Sequence, residues 1–469
     1  MSFSTLYFIF AFLPLSLILY FVFPAKLRKL PLVLISLVFY AWGEPVYLIL
    51  LLLSMGFNYL SGLELGYLRQ EGRDRAARVV MLGAVIVNLL ILGFFKYFGF
   101  LISNLNLIPG VELTAPKLSL PIGLSFYTFT VLSYVLDVYR GNAQAQKNVL
   151  SFAVYATFFP KLISGPIVRY QDMEQQLAEP RHVSPAQLGM GLNMFLVGLF
   201  KKVLLADNLG TAFAAVTGLS SMSAGTAWLG MLFYSFQLYF DFSGYSDMAI
   251  GLAGMLGYKL DKNFDYPYRA VSIGDFWRRW HISLGAWFRE YVYIPLGGNR
   301  CSTGMQVRNL LVVWLLTGLW HGASWSFVAW GLWHGAFIML ERFVLKDRLE
   351  VIPRAIRVFF TCLIAFFGWV LFFSPTLGSA MHYFGQMFGA DHLGFADSTF
   401  KYYLGSNAWL LIAAAVGSGP PVRGIHQKLV YGRRGIVMYL SLAMYIVLLV
   451  LCVAAMVSAT YTSFLYFQF

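Results

Sequence analysis

The sequence is short of charge. Asp, Glu, Lys and Arg make up 12% of its 469 residues, about half the roughly 25% of an ordinary soluble domain. That shortage excludes a soluble globular enzyme and a charge-rich disordered chain. Cysteine is scarce too. Cys301, Cys362 and Cys452 are the whole complement, and no two form a CxxC pair. Neither a disulfide framework nor a zinc site is indicated. GxSxG, HExxH, a P-loop and a complete GxGxxG are all missing, which argues against a hydrolase elbow, a zincin and a nucleotide-driven pump. No dense run of charges interrupts the apolar stretches in the way ion pumps require.

What is present is apolar and aromatic. Apolar residues make up 59% of the chain, aromatic residues 18%, and the mean hydropathy is +0.68. The apolar residues fall in runs near the 20 or so that cross a bilayer core. The runs are 3–23, 31–41, 45–66, 78–101, 120–138, 187–206, 226–257, 356–373 and 434–457. Residues 148–168 and 404–416 are shorter or broken and read as re-entrant. None alternates with the two-residue period of a barrel strand. Residues 309–340 carry no Asp, Glu, Lys or Arg. As one straight helix they would be about 48 Å long, so two segments meeting near His321-Gly322 are expected. The fold class is therefore all-α and polytopic, with about ten to thirteen membrane segments. No internal repeat or linker appears, so 1–469 reads as one domain, without a soluble part large enough to fold alone.

The net charge of +13 fits basic loops on the cytoplasmic side and contact with anionic lipid. No aromatic-interleaved basic platform for nucleic acid is present. Lys26, Arg28 and Lys29 follow the first run, and no basic segment precedes it. That predicts a retained first span with its N-terminus outside. Glu44 then lies outside, Arg69 to Arg78 inside, and 102–119 outside.

Four stretches carry candidate chemistry. In Trp320-His321-Gly322-Ala323, an ionisable group sits in the middle of the charge-free run, where it is costly. An imidazole there suits general-base work on a hydroxyl, and Gly322 permits a helix break. The structural alternative is a histidine satisfied by a carbonyl. His334, in Trp333-His334-Gly335, fits a place near a membrane face, where histidine is cheap. On a continuous helix, the stretch Phe276 to Tyr291 puts Phe276, Trp280, Leu284, Trp287 and Tyr291 on one stripe. Arg278, Arg279, Arg289 and Glu290 fall opposite, and His281 lies at the stripe's edge. Gln237 to Asp247 holds Asp241 and Asp247 in an apolar stretch. Six residues separate them, about 240° of helix, so a facing carboxylate pair needs a break at Gly244. Pro160 and Pro166 interrupt another apolar run and suggest a bent element.

Taken together, these residues resemble the membrane-bound O-acyltransferase family, in its AlgI-like bacterial branch of polysaccharide O-acetyltransferases. The likeness rests on Pro121 to Tyr127, Gln237 to Gly251, Phe276 to Leu284, Leu296 to Arg300 and Gly318 to Ala323. It is strongest over about 120–342. The resemblance implies a ring of tilted helices around a tunnel, with His321 catalytic and His281 its second polar residue. Gln237, Asp241, Tyr245, Arg279, Trp280 and Trp320 are the implied tunnel lining. It further implies acetyl-CoA or another activated acetyl donor as substrate, with no metal and no tightly bound cofactor. The acetyl group would cross or enter the bacterial inner membrane for an exported polysaccharide: alginate, cellulose, another exopolysaccharide or peptidoglycan. Periplasmic SGNH, esterase-like partner proteins and export machinery go with that role. Two alternatives stand beside it. One is a transporter of a lipid-linked sugar with histidine proton relays. The other is a family enzyme acting on a lipid or receiving D-alanine from a carrier protein.

Overall fold

A computed structural model describes residues 1–114, 116, 119–420 and 436–458. Lys117, part of the 102–119 loop reading, lies outside the described residues, as do Arg434 and Gly435 at the start of the 434–457 span. Every regular element among the described residues is a helix. The chain opens with α1 (Leu13–Val22), α2 (Lys29–Gly43), α3 (Leu48–Gln70), α4 (Asp74–Leu105) and α5 (Leu124–Arg140). Next come α6 (Val149–Thr157), α7 (Phe159–Leu162), α8 (Tyr170–Ala178), α9 (Pro185–Phe200), α10 (Asp207–Thr217) and α11 (Ala224–Met255). Then α12 (Ile273–Trp277), α13 (Ile282–Phe288), α14 (Thr303–His321), α15 (Trp325–Met339) and α16 (Arg348–Val351) follow. The last are α17 (Arg354–Phe373), α18 (Leu377–Met387), α19 (Ser398–Gly417) and α20 (Ile436–Ser458). Among the described residues, Leu48–Gln70, Asp74–Leu105, Pro185–Thr217, Trp325–Leu345 and Arg354–Phe373 are long and apolar enough to cross a membrane. The protein is an all-α, multi-pass membrane protein.

The chain divides into two compact units. The first comprises Met1–Phe195, Met248–Asp261 and Ala286–Val292. Its centre is α5, buried on nearly every face and packed by α3, α4 and α8. Several polar groups inside it are paired, as burial favours, while the buried Tyr40 and Tyr127 hydroxyls have no hydrogen-bond partner among the described residues. The Asn58 and Asn88 amides of α3 and α4 bond each other reciprocally at 3.1 and 2.9 Å. Asp137 accepts from the Tyr291 hydroxyl at 2.7 Å and the Gln171 N–H at 3.1 Å. The bent element expected near Pro160 is present: α6 stops at Thr157, α7 restarts at Phe159 with Pro160 in its first turn, and an irregular stretch runs on to α8. Irregular backbone within a membrane protein needs cover from protein, and residues 151–168 are buried. Lys161 lies among them with its ammonium 4.6 Å from the Tyr155 ring centroid.

The second unit comprises Leu196–Asp247, Lys262–Gly285 and Tyr293–Phe469. The charge-free run divides as its length demanded. α14 ends at His321, and α15 starts at Trp325 and packs back along it. α17 lies against α15. A turn of π-helix, Lys201–Ala206, joins α9 to α10, and α11 runs unbroken through Gly244. The 404–416 stretch, short in the sequence reading, is part of a longer helix. α19 is one continuous helix, started by Asp397, whose carboxylate accepts the Phe400 N–H at 2.8 Å and so satisfies a first-turn donor.

Candidate active site

His321 is the last residue of α14 and is 3% exposed. Its Nδ1 lies 2.8 Å from the Thr317 carbonyl oxygen, one turn back. A carbonyl only accepts, so Nδ1 carries the proton and Nε2 is left as the basic nitrogen. Rings of Trp320, Trp330 and Phe372 surround the imidazole at centroid distances of 4.9, 4.6 and 5.5 Å. The residue after the helix end is glycine for a steric reason. Gly322 has an extended backbone, which any residue can adopt, but a Cβ on it would overlap the Phe327 ring.

His281 is the second imidazole of the site. The helix expected over Phe276 to Tyr291 is interrupted: α12 stops at Trp277, α13 starts at Ile282, and His281 sits between them at φ 45°. A non-glycine residue in the left-handed region is strained and must be held there by its surroundings. Asn263 supplies part of that hold. Its Oδ1 accepts from the Ser283 N–H at 3.1 Å and the Ser283 hydroxyl at 3.0 Å, and lies 3.3 Å from His281 Nδ1. The Asn263 amide in turn donates to Ser246 of α11 at 3.4 Å. His281 is 1% exposed. Its ring meets Phe242 edge-on at 4.7 Å and Trp320 at 6.0 Å. The Trp320 indole therefore packs against both histidines.

The other sequence candidates divide. Trp280 is buried and packs on Trp369 at 4.7 Å, with Phe264 and Phe276 on its other sides. Arg279 ties down the loop before the site, donating to the Asp275 carboxylate at 3.0 Å and the Asp265 carbonyl at 3.3 Å. Asp241 pairs with Lys202 at 2.7 Å, and Lys202 also reaches Asp207 at 2.6 Å. Asp247 pairs with Lys201 at 2.6 Å. The two carboxylates of α11 thus meet two lysines of the π turn instead of each other. The Gln237 amide packs against Gly210 of α10, and Tyr245 is buried one turn along α11 from Asp241. The α11 face that reaches His281 and Asn263 carries Phe242 and Ser246.

Asn263, Lys201 and Lys202 were not singled out in the sequence. The lysines did leave a signal, two adjacent cations inside an apolar run. Asn263 left none, since it lies eighteen residues before the histidine it holds. His334 is not at a surface. It is 0% exposed, with rings of Phe276, Trp277, Trp314, Trp330 and Trp369 around it at 5.1 to 6.3 Å. Neither of its ring nitrogens has a hydrogen-bond partner among the described residues. Among those residues, too, no three His, Cys, Asp or Glu side chains gather as a metal site would need.

Comparison with known proteins follows the same region. The family model for membrane-bound O-acyltransferases matches residues 140–374. The chain is 44% identical to the probable alginate O-acetylase AlgI of Azotobacter vinelandii over 392 residues, 83% of this chain and 78% of that one. It is 38% identical to the peptidoglycan O-acetyltransferase of Helicobacter pylori, covering 83% of this chain and 80% of the relative. It is 28% identical to the teichoic acid D-alanyltransferase of Bacillus subtilis, covering 57% and 68%.

Proposed function

Because this chain belongs to the membrane-bound O-acyltransferase family, we propose that it moves an acetyl group from a cytoplasmic donor across or into the membrane for O-acetylation of an exported polysaccharide, with His321 as the base. Acyl transfer, instead of transport of a lipid-linked sugar, follows from that membership. One observation carries the assignment to His321. A buried imidazole at a helix end donates through Nδ1 to a carbonyl, which turns Nε2 into a general base.

The chemistry then balances with few parts. Nε2 of His321 takes the proton of the acceptor hydroxyl as its oxygen bonds to the acetyl carbonyl carbon. The carbon–sulfur bond of a thioester donor, acetyl-CoA by preference, breaks. The imidazolium returns its proton to the thiolate. His281, held by Asn263, orients a reacting group beside Trp320. Gln237, Asp241, Tyr245, Arg279 and Trp280 support this centre from the flanking elements. The enzyme sits in the bacterial inner membrane with its N-terminus outside. An SGNH, esterase-like periplasmic partner and the export machinery carry the acetyl group onward. Acetyl ranks ahead of D-alanyl because the two O-acetyl relatives share more identity over more of the chain.

The test uses full-length protein in nanodiscs with acetyl-labelled coenzyme A, following thioester loss. Loss in the wild type and none in a well-folded His321→Ala variant is expected. Equal loss in that variant overturns the assignment.

A further inference from the structure

Away from the histidines, the first unit holds a cleft of about 130 Å³ lined by Tyr20, Lys26, Arg28, Lys29, Glu179 and Arg181, among others. Four cations face one carboxylate there. They come from two distant parts of the chain, the α1–α2 junction and the segment after α8. Loose basic side chains at a membrane surface splay apart into water. These converge, and three of them are fixed. Arg28 donates from Nε to the Phe23 carbonyl at 3.1 Å and from Nη1 to the Arg181 carbonyl at 2.9 Å. Its guanidinium lies 5.3 Å from the Tyr20 ring centroid and 5.0 Å from that of Phe21. Tyr20 is itself held by its hydroxyl, which donates to the Leu256 carbonyl at 2.7 Å. Lys29 donates to the Ser151 hydroxyl at 2.8 Å and to the Leu177 carbonyl. Arg181 lies 5.9 Å from the Tyr258 ring centroid and 3.6 Å from the Glu179 carboxylate.

Gathering four like charges is unfavourable unless an anion joins them. Arg28 uses two of the five guanidinium N–H groups on carbonyls, which leaves three uncommitted. Lys26 is exposed at the rim. A planar N–H fork beside ammonium groups matches phosphate oxygens. The volume is below the 300 Å³ or so of a whole drug-sized ligand. It suits one phosphate group and the first atoms of its ester.

We propose that this cleft is a phosphate-binding site on the cytoplasmic side of the first unit. The phosphate belongs either to an anionic lipid headgroup or to a soluble phosphate ester such as coenzyme A. The side follows from the charge of Lys26, Arg28 and Lys29. Full-length protein in detergent, titrated separately with phosphatidylglycerol, phosphatidylcholine and coenzyme A, tests it by native mass spectrometry and calorimetry. One saturable site is expected for phosphatidylglycerol over phosphatidylcholine, or for coenzyme A, and whichever binds names the source. Lys26→Gln should weaken that site about fivefold. Lys26→Gln with Arg181→Gln should weaken it further, and Glu179→Gln should tighten it. Glu179→Gln guards against misfolding, since a damaged protein does not bind better. Absence of a saturable site for either anionic probe overturns the proposal, and so does affinity indifferent to all three substitutions. The role of His321 stands apart from this result, because no acyl transfer is measured.

Discussion

Trp320-His321-Gly322 and Trp333-His334-Gly335 are the same three residues, thirteen positions apart in one helical hairpin. Their surroundings have little in common. The first closes α14, so its histidine sits at a turn, with Nδ1 on the Thr317 carbonyl. The second lies inside α15, and its histidine is enclosed by five aromatic rings without a hydrogen bond among the described residues. The glycines differ as well. Gly322 makes way for the Phe327 ring, whereas Gly335 lets Trp314 pack within 2.9 Å of where a Cβ would be. Trp330 packs against both histidines, at 4.6 and 5.4 Å. A motif read by spelling alone would treat the two alike. The helix end and the packing separate them.

The comparison breaks most visibly on activity. His321→Ala should lower acetyl transfer by about 10²- to 10⁴-fold with the thermal midpoint nearly unchanged. His334→Leu should leave most of the turnover. A matching loss in both variants would mean that the two histidines act as one chemical unit. The next largest effect concerns the neighbour that positions His281. Asn263→Ala should cut kcat about 10- to 100-fold, by analogy with the loss of a partner that orients a metal-ligating histidine, with KM little altered. An unchanged kcat would make the strain at His281 irrelevant to catalysis.

Stability sharpens the contrast. Gly322→Ala and Gly335→Ala each overpack a ring and should cost about 1 to 3 kcal/mol, measured as loss of folded protein on heating. The first should also depress activity and the second should not, because only Gly322 adjoins His321, the proposed base. His334→Leu replaces an unpartnered polar ring by an apolar one and should be within about 1.5 kcal/mol of neutral. A loss well beyond that would reveal a partner for His334.

The smallest effect lies outside the hairpin, in the loop after α18. Asp391 accepts from the Met222 N–H and the Gln386 amide, both at 3.0 Å, and these bonds hold its carboxyl below the usual carboxylate range. A depressed pKa contributes stability above the unfolded value of about 3.9, lost as pH falls through the lower folded value. Asp391→Asn should therefore flatten the acid side of a thermal-melt pH profile and leave the profile near pH 7 in shape. An unaltered acid limb would show that those bonds carry no linkage.

Much of the site was legible because its signals are local. The length of the charge-free run required a break, and the break came at His321. Phe276, Trp280, Leu284, Trp287 and Tyr291 are all buried, as their apolar character required. The helix drawn through them was not legible, since nothing in the residue types announces a left-handed His281. Asp241 and Asp247 were correctly kept from facing each other, yet their lysine partners came from a different helix.

The sequence by itself determined the membrane class, the helical fold, the place where the long apolar run turns and the histidine at that turn. These follow from hydropathy and helix length, which add up over neighbours along the chain. Only the tertiary structure decided that Asn263 holds His281, that Lys202 joins Asp207 to Asp241, that Phe327 requires Gly322, and that rings enclose His334. Most of these are meetings of residues from separate segments of the chain. Such meetings depend on how each helix is rotated and shifted against the next, and packing sets that, not the order of residues within one helix.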